Sequence, residues 1–312
     1  MNVSAVIAAA GLSSRMRDFK PLAELNGQPV IVRVVSGLRE AGVGEIVVTG
    51  GYRGEELKRL LLPMGVRVVL NRRYAETEML HSLKMGIASL NAPADALFLL
   101  PGDVPLIRPE TMRGMLSLPD KAVRPVCDGK GGHPLLLRAE LIPALLDYNG
   151  PGGLRGALAA MGVETADFPV DDRGCVLDAD TPQDLLEIRR QFSLRGGRAV
   201  FWPEVRICVG KGGYLVTPAD VQFLEMIRQT GSIRRACACV HISYTKGWSK
   251  LRQMETELDM KLTSRNSGGP DGGGTSLTQE GAAFVTAYRR YTEGLLQDSR
   301  ARFREAFGPL NA

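Results

Sequence analysis

Several short stretches of the chain carry residue types suited to handling a phosphate ester. The apolar run from Val3 to Ala10, broken only by Ser4, stops at Gly11 and passes through Ser13 and Ser14 into Arg15, Arg17 and Lys20. A buried strand emptying into a small-residue turn lets backbone N–H groups approach an anion, and Arg and Lys add forked and point charge for phosphate. Pro101-Gly102-Asp103-Val104-Pro105 follows a second apolar run and presents one carboxylate on a Pro-flanked turn, which suits a hard-cation ligand or a helix cap. Asp178 and Asp180 have the period-2 spacing of one strand face. Mg²⁺ is typically held by one or two such carboxylates plus substrate phosphates. Gly132-His133-Pro134 offers an imidazole suited to positioning, and Arg155 sits at a glycine-bounded helix start that suits an anion or a capped surface helix.

To act together these side chains must reach one edge of a fold. Strand-like runs at 3–10, 45–49, 66–70 and 96–100 alternate with helix-like runs at 30–41, 55–62 and 79–90. Apolar strands spaced by helices predict an α/β fold with a mostly parallel sheet covered on both faces. Ligands of such sheets bind beyond the carboxyl ends of the strands, where Gly11 and Asp103 both fall. Asp128-Gly129 reads as a hairpin turn, and Thr181-Pro182 as the cap and first position of a helix.

Past a short basic, glycine-bearing join at 194–198 the pattern changes, so the chain is read as two domains, 1–195 and 196–312. A strand is expected at 205–209. Gly210-Lys211-Gly212-Gly213 then lacks the upstream glycine of a P-loop and reads as a turn. Thr217 N-caps a helix to about residue 229 with Val221, Leu224 and Ile227 inward, and Ser232 starts a short helix with Ala236, Cys237 and Val240 on its apolar face. Ser243 caps a third helix, from Tyr244 to about Leu258, which carries Thr245, Lys246, Lys250 and Arg252. Helix, tight turn and helix is the layout of a helix-turn-helix whose second helix enters the major groove by its N-terminal part, and also that of a generic helical hairpin. Residues 262–278 form two short strand-like runs around a glycine-rich tip, a wing with Arg265 at its base. Ala283, Ala287, Tyr288, Tyr291 and Leu295 recur along the last helix as a seam for a homodimer, which would match two DNA half-sites about one turn apart.

Composition agrees with this division. The net charge is +5 over 312 residues, and from residue 196 on 16 Lys and Arg stand against 11 Asp and Glu, so the whole excess falls in the C-terminal part and points to a polyanion partner. Five cysteines without paired spacing argue against a disulfide framework or a four-ligand zinc site and fit a reducing cytoplasm. The N-terminal apolar run lacks a basic leader, and no run approaches about 18 apolar residues, so a soluble chain with no membrane partner is expected.

Ala9-Ala10-Gly11-Leu12-Ser13-Ser14-Arg15-Met16 with Lys20-Pro21-Leu22, then Gly102-Asp103-Val104-Pro105, Gly132-His133-Pro134 and Asp178-Ala179-Asp180-Thr181-Pro182, resemble in their order the motifs of the nucleotidyltransferases of molybdenum cofactor, over about residues 1–192. Two alanines before Gly11 look more like the cytidylyl than the guanylyl branch. The resemblance implies a Rossmann-like nucleotidyltransferase domain that takes CTP or another NTP and a molybdopterin-type cofactor. By the same resemblance Ala9, Ala10, Gly11, Leu12, Ser13, Arg15, Lys20 and Asp103 bind nucleotide; Arg15, Lys20 and Asp103 serve catalysis; Asp103 with one or both of Asp178 and Asp180 holds Mg²⁺; and His133 and Arg155 face the acceptor. The chain departs from the family at Arg17-Asp18-Phe19, where a glycine and a smaller residue are more usual, and at Glu78-Met79-Leu80-His81-Ser82-Leu83, where a glycine- and serine-rich segment is usual.

Residues about 200–295, through Ser243-Tyr244 to Trp248, the glycine-rich wing and Leu277-Thr278 with Gly281, resemble the winged helix-turn-helix domain of molybdate-responsive regulators, with another winged-helix regulator family as the nearby alternative. Ser243, Tyr244, Thr245, Lys246, Lys250 and Arg265 are then the expected contacts to double-stranded DNA. Such regulators usually continue into a molybdate-binding domain, for which the chain ends too soon at Ala312. Two functions are therefore expected side by side, a transferase and a DNA-binding regulator. The alternatives are a ligand-sensing transcription factor whose transferase-like domain does not turn over, or a transferase with GTP or another phosphorylated acceptor.

Overall fold

The computed structural model describes residues 1–11, 19–194, 205, 207–240, 242–265 and 274–311. The chain divides into two compact units, Met1–Ala199 and Val200–Ala312.

In the first unit the elements run β1 (Val3–Ala9), a short hairpin β2 (Glu24–Leu25) and β3 (Gln28–Pro29), α1 (Val30–Glu40), β4 (Glu45–Gly50), α2 (Gly54–Leu61), β5 (Arg67–Leu70), α3 (Met79–Ala88) and β6 (Ala96–Pro101). There follow α4 (Pro109–Leu116), β7 (Ala122–Cys127), β8 (Lys130–Gly131), β9 (Leu135–Arg138), α5 (Ile142–Asp147), α6 (Gly153–Ala160), β10 (Ala166–Pro169) and α7 (Pro182–Leu194). Strands pair in the order β10-β7-β9-β6-β1-β4-β5, with β8 against β7. β6, β1, β4 and β5 are mutually parallel, and β9 alone runs against its neighbours β6 and β7 along that path. β1 lies at the centre, apolar on both faces and almost wholly buried, because helices cover the sheet on either side. Gly86 lets α3 lie directly on β1: a Cβ there would stand 2.4 Å from Cγ1 of Val6. In α1 the buried residues Val30, Ile31, Val34, Val35 and Leu38 follow the helical period. The β7–β8 turn carries positive φ at Asp128 and Gly129, the conformation that a two-residue hairpin with right-handed twist needs.

The segment around Asp178 and Asp180 differs from the expected strand end. Arg173–Val176 is a single 3-10 turn and 177–181 has no regular structure. The Ala179 N–H donates to the carbonyl of Asp103 at 3.0 Å and the Cys175 carbonyl accepts from the His133 N–H at 2.7 Å, so the segment is tied to the Asp103 turn and to the His133 turn and is not part of a ladder. Thr181 and Asp184 then cap α7 reciprocally, the Thr181 N–H donating to Asp184 Oδ2 at 2.7 Å and the Asp184 N–H to Thr181 Oγ1 at 3.2 Å.

The second unit comprises a hairpin β11 (Val209–Lys211) and β12 (Tyr214–Val216), α8 (Pro218–Thr230), α9 (Ile233–Cys239), α10 (Tyr244–Leu258), a second hairpin β13 (Thr263–Arg265) and β14 (Thr275–Leu277), and α11 (Gln279–Asn311). The first strand thus begins at Val209, where the expected run at 205–209 ends. Thr217 and Asp220 form a capping box on α8, and Ser232 and Ser243 accept from the N–H groups of Arg235 and Lys246 at the starts of α9 and α10. Gly247 packs on Cys237 so closely that a Cβ would lie 2.2 Å from its Sγ, which sets the crossing of α9 and α10. The glycine-rich tip at 268–274 lies outside the described residues except for Gly274. Along α11, Tyr291 and Leu295 are exposed, but Tyr288 is not part of that seam. It is buried in its own unit, its hydroxyl donates to the carbonyl of Ile207 at 2.7 Å, and burial pushes its pKa up to about 12. Among the described residues no helix is long and apolar enough to cross a membrane.

Candidate functional site

Two adjoining pockets open at the carboxyl ends of the central strands of the first unit. The smaller, of about 230 Å³, is formed by Ala8 and Ala9 at the end of β1, by Ala10 and Gly11 past it, by Lys20, by Gly102 and Asp103 past β6, and by Tyr74, Thr77 and Ser82. The larger, of about 780 Å³, is walled by leucines of α3, β6 and α6 and carries His133 and Arg155. Met79 and Pro101 belong to both linings, so a ligand in one pocket lies beside a ligand in the other.

Chain pairing explains how Asp103 comes to face Gly11. Ala8 is in register with Pro101, and the Gly102 N–H donates to the Ala8 carbonyl at 3.0 Å, so the turn after β6 is pinned beside the turn after β1. Gly102 leaves room for this, since a Cβ would approach that of Ala9 to 3.0 Å. Lys20 is delivered from the other side on the 3-10 turn Lys20–Leu22, anchored by buried Pro21 and Leu22 and by Phe19. Phe19, a departure from the family pattern, stands edge-on to Tyr52 with ring centroids 5.6 Å apart. Its role is to fill the core beneath the loop.

The Lys20 ammonium sits between two carboxylates. Nζ lies 3.1 Å from Asp103 Oδ2 and forms a shorter ion pair with Asp180 Oδ1. Burial alone would lower the Lys20 pKa, but the hydrogen bond to Asp180 and the charge of Asp103 outweigh it and hold the pKa above the ordinary lysine value. Oδ1 of Asp103 is buried and has no hydrogen-bond partner among the described residues. An orphaned carboxylate oxygen is costly unless a ligand completes it. Asp103 and Asp180 are the two carboxylates that meet at Lys20, oxygen donors of the kind a hard divalent cation takes.

Asp178 is less central than expected. It is exposed, and among the described residues no three His, Cys, Asp or Glu side chains come close enough to share an ion. Partial desolvation, then the charges of Asp180 and Asp103, push its carboxyl above the usual carboxylate range. It contributes field, and the pair Asp103 and Asp180 carries the candidate cation site. Leu12, Ser13 and Arg15 lie outside the described residues, so the structure brings together Ala9, Ala10, Gly11, Lys20 and Asp103 of the expected nucleotide set.

His133 is half-buried in the larger pocket, its N–H donating to the carbonyl of Cys175 at 2.7 Å. Gly132 admits that approach, because a Cβ would come within 2.4 Å of the same carbonyl oxygen. Burial lowers the His133 pKa, opposed by the charge of Asp103, so the ring is neutral at pH 7. Arg155 is exposed at the rim, in the first turn of α6. Arg124 also lines this pocket, its Nε held by Asp167 at 2.6 Å. Sequence reading passed over Arg124, Tyr74 and Thr77. Tyr74 and Thr77 follow the carboxyl end of β5, the edge where this class of sheet binds ligands, and that position was the available signal.

In the second unit, Ser243, Tyr244, Thr245 and Lys246 are exposed at the start of α10. Arg234 of α9 stands 5.2 Å over the Tyr244 ring, Tyr244 meets Trp248 edge-on, and Arg252 stands 5.8 Å over Trp248. Sequence reading had not placed Arg234 on this face, because it belongs to the preceding helix. Lys250, among the expected contacts, is engaged within the unit: its Nζ lies 2.5 Å from Oδ1 of Asp220, a carboxylate that is only 2% exposed, while the Lys250 side chain is itself 31% exposed. Arg265 has its backbone in β13, and its side chain lies outside the described residues.

Residues 5–166 match the family model of the MobA-like NTP transferase domain, and residues 218–282 that of the bacterial regulatory helix-turn-helix protein, lysR family. The chain is 26% identical over 193 residues to a molybdenum cofactor cytidylyltransferase of Escherichia coli (strain K12), a match covering 61% of this chain and 97% of that protein. It is 34% identical over 119 residues to the bifunctional protein GlmU of Syntrophomonas wolfei subsp. wolfei, but that match spans only 26% of the GlmU length. Among solved structures, a nucleotidyl transferase from Methanothermobacter thermautotroptrophicus superposes with a TM-score of 0.54 at 28% identity, covering 62% of this chain and 99% of that one.

Proposed function

From the premise that the chain belongs to the MobA-like NTP transferase family, we propose that it transfers the cytidylyl group of CTP to a molybdopterin-type cofactor with Mg²⁺. It is a nucleotidyltransferase domain related to cytidylyltransferases and fused to a LysR-type helix-turn-helix domain. The observation that carries the finer reading is Lys20 held between Asp103 and Asp180 at the junction of the two pockets. The E. coli cytidylyltransferase, matched over nearly its full length, supports CTP and the acceptor.

Asp103 and Asp180 would hold the magnesium ion, which when bound neutralises charge on the phosphate chain. Lys20 pairs with the phosphates of the nucleotide in the smaller pocket, and the main chain from Ala9 to Gly11 approaches them closely. The acceptor fills the larger pocket, with Arg155 as its anion partner and the neutral His133 ring as a positioning group. A phosphate oxygen of the acceptor bonds to the α-phosphorus as the bond from that phosphorus to the β-phosphate oxygen breaks, and pyrophosphate leaves. Catalysis of this kind rests on positioning and charge stabilisation. The helix-turn-helix unit binds double-stranded DNA through the start of α10, as a homodimer built on the exposed Tyr291 and Leu295 of α11. A cytoplasmic enzyme fits both roles.

The test is pyrophosphate release from CTP, GTP, ATP and UTP with magnesium, with and without molybdopterin cofactor, for wild type and Asp103→Ala. Cofactor-dependent release from CTP that disappears in the variant or with a chelator is expected. Release from another nucleotide, or without the cofactor, would replace the substrate assignment. Nucleotide binding without release under any of these conditions would point to a ligand-sensing regulator.

A further inference from the structure

Asn71, the residue after β5, is 2% exposed and stands behind the smaller pocket. Its N–H donates to the carbonyl of Gly50 at 2.8 Å, which roots it in the sheet. Its side-chain amide donates to Thr77 Oγ1 at 2.9 Å and to Ser82 Oγ at 3.0 Å, while its Oδ1 accepts from the Arg73 N–H at 2.9 Å. Thr77 Oγ1 in turn donates to the Arg73 carbonyl at 3.0 Å, and the Ser82 carbonyl accepts from the fully buried Thr49 hydroxyl at 2.8 Å. One buried amide therefore closes the loop 72–77 on itself and ties it to the first turns of α3 and to β4. Thr77 and Ser82 of this assembly, with Tyr74 of the same loop, line the smaller pocket together with Lys20 and Asp103, while Asn71 itself is not in the lining. Tyr74 is seated against the sheet, since a Cβ on Gly51 would fall 2.6 Å from Tyr74 Cβ.

We propose that Asn71 is a positioning residue that sets the wall against which the nucleoside part of the NTP lies, and so the preference among nucleotides. This rests on the nucleotidyltransferase reading of the pocket. The phosphates are drawn to the Lys20 and Asp103 end, which leaves the Tyr74, Thr77 and Ser82 side to the sugar and base. A wall made of a short loop has one shape only while its internal hydrogen bonds are closed, and a buried amide that both donates and accepts is what closes them.

The experiment measures equilibrium binding of the four magnesium NTPs and of magnesium inorganic triphosphate to the full chain, for wild type, Asn71→Ala, Asn71→Asp and Thr77→Val. In Asn71→Ala the preferred NTP should bind at least about 10-fold more weakly and its lead over the other three should shrink to within about 3-fold, the order expected when positioning hydrogen bonds are lost. Triphosphate, which needs only the Lys20 and Asp103 end, should bind as it does to wild type. Asn71→Asp keeps the acceptor for Arg73 and can accept from the Ser82 hydroxyl, so its effect should lie between wild type and Asn71→Ala. Thr77→Val should show the same pattern at smaller magnitude and decides the matter if the Asn71 variants do not fold. Loss of NTP and triphosphate together, or unchanged preference in the variants, would overturn the role of Asn71. A wild-type chain that binds triphosphate but none of the four NTPs would overturn the nucleotide reading together with it.

Discussion

Lys20 and Lys250 are both lysines paired with aspartate, and they do different things. Lys20 sits in an open pocket between Asp103 and Asp180, whose side chains are 16% and 32% exposed, and one oxygen of Asp103 is left without a partner among the described residues. Lys250 closes on Asp220, 2% exposed, whose other oxygen is already taken by the N–H and hydroxyl of Thr217. In the first case the charges stay available to a ligand; in the second they complete a helix cap. What separates a functional cation from a structural one is the burial of its partner, since a buried carboxylate needs its counter-charge permanently.

The contrast breaks or sharpens under mutation. Lys20→Met should lower transferase turnover by about 100- to 1000-fold, the usual cost of removing one preorganised charge at a transferring group, with a smaller loss of stability than at Lys250 because Asp103 and Asp180 are more exposed than Asp220. Steady-state kinetics beside thermal melting would separate the two, and a variant that unfolds while its remaining folded fraction turns over normally would erase the distinction. Lys250→Met should do the reverse. Leaving Asp220 buried and uncompensated should cost about 2 kcal/mol, seen as a fall of roughly 8 °C in the melting of the second unit, while pyrophosphate release is unchanged. A normal melting point with weakened DNA binding would restore Lys250 to the DNA face.

Lys246, exposed at the start of α10, provides the finer comparison. Lys246→Ala should leave melting unaltered and reduce the slope of log affinity for DNA against log salt by about 1, as expected for one phosphate contact. The smallest effect concerns pH. Burial holds the His133 pKa below its unfolded value of about 6.5, so the unfolded chain binds the proton first as pH falls. Stability of the first unit should therefore decline as pH drops through about 6.5 towards the folded pKa, and His133→Gln should flatten that part of the melting profile. An unchanged profile would mean that the ring titrates normally.

Much of the framework was legible from local pattern. The apolar period of 30–40, the Asp128-Gly129 turn, and the caps Thr181, Thr217, Ser232 and Ser243 all depend on residues within a few positions of one another, and each appears where the spacing put it. The candidate site was legible in its phosphate-facing half, because Gly11, Lys20 and Asp103 sit just past apolar strands. Its other half was not. The segment Glu78 to Leu83, read as a departure, contributes Glu78, Met79, Leu80 and Leu83 to the larger pocket and Met79 and Ser82 to the smaller, and Asn71 gave no signal because its importance lies in bonds to Thr77 and Ser82 that spacing does not announce.

The sequence by itself determined two units of different character, a parallel α/β sheet followed by a helix-turn-helix with a wing, and the loop chemistry at the strand ends. Those follow from the periodicity of adjacent residues and from turn stereochemistry, which act over one or two turns of chain. Only the tertiary structure decided which charges meet and where. Asp180 meets Lys20 across 160 residues of chain, Asp178 turns outward beside it, Lys250 is claimed by Asp220, and Tyr288 is drawn into the core away from the exposed seam. Each of these outcomes depends on what distant segments bring within a few ångströms, and electrostatic and packing energies are set at that range and not along the chain.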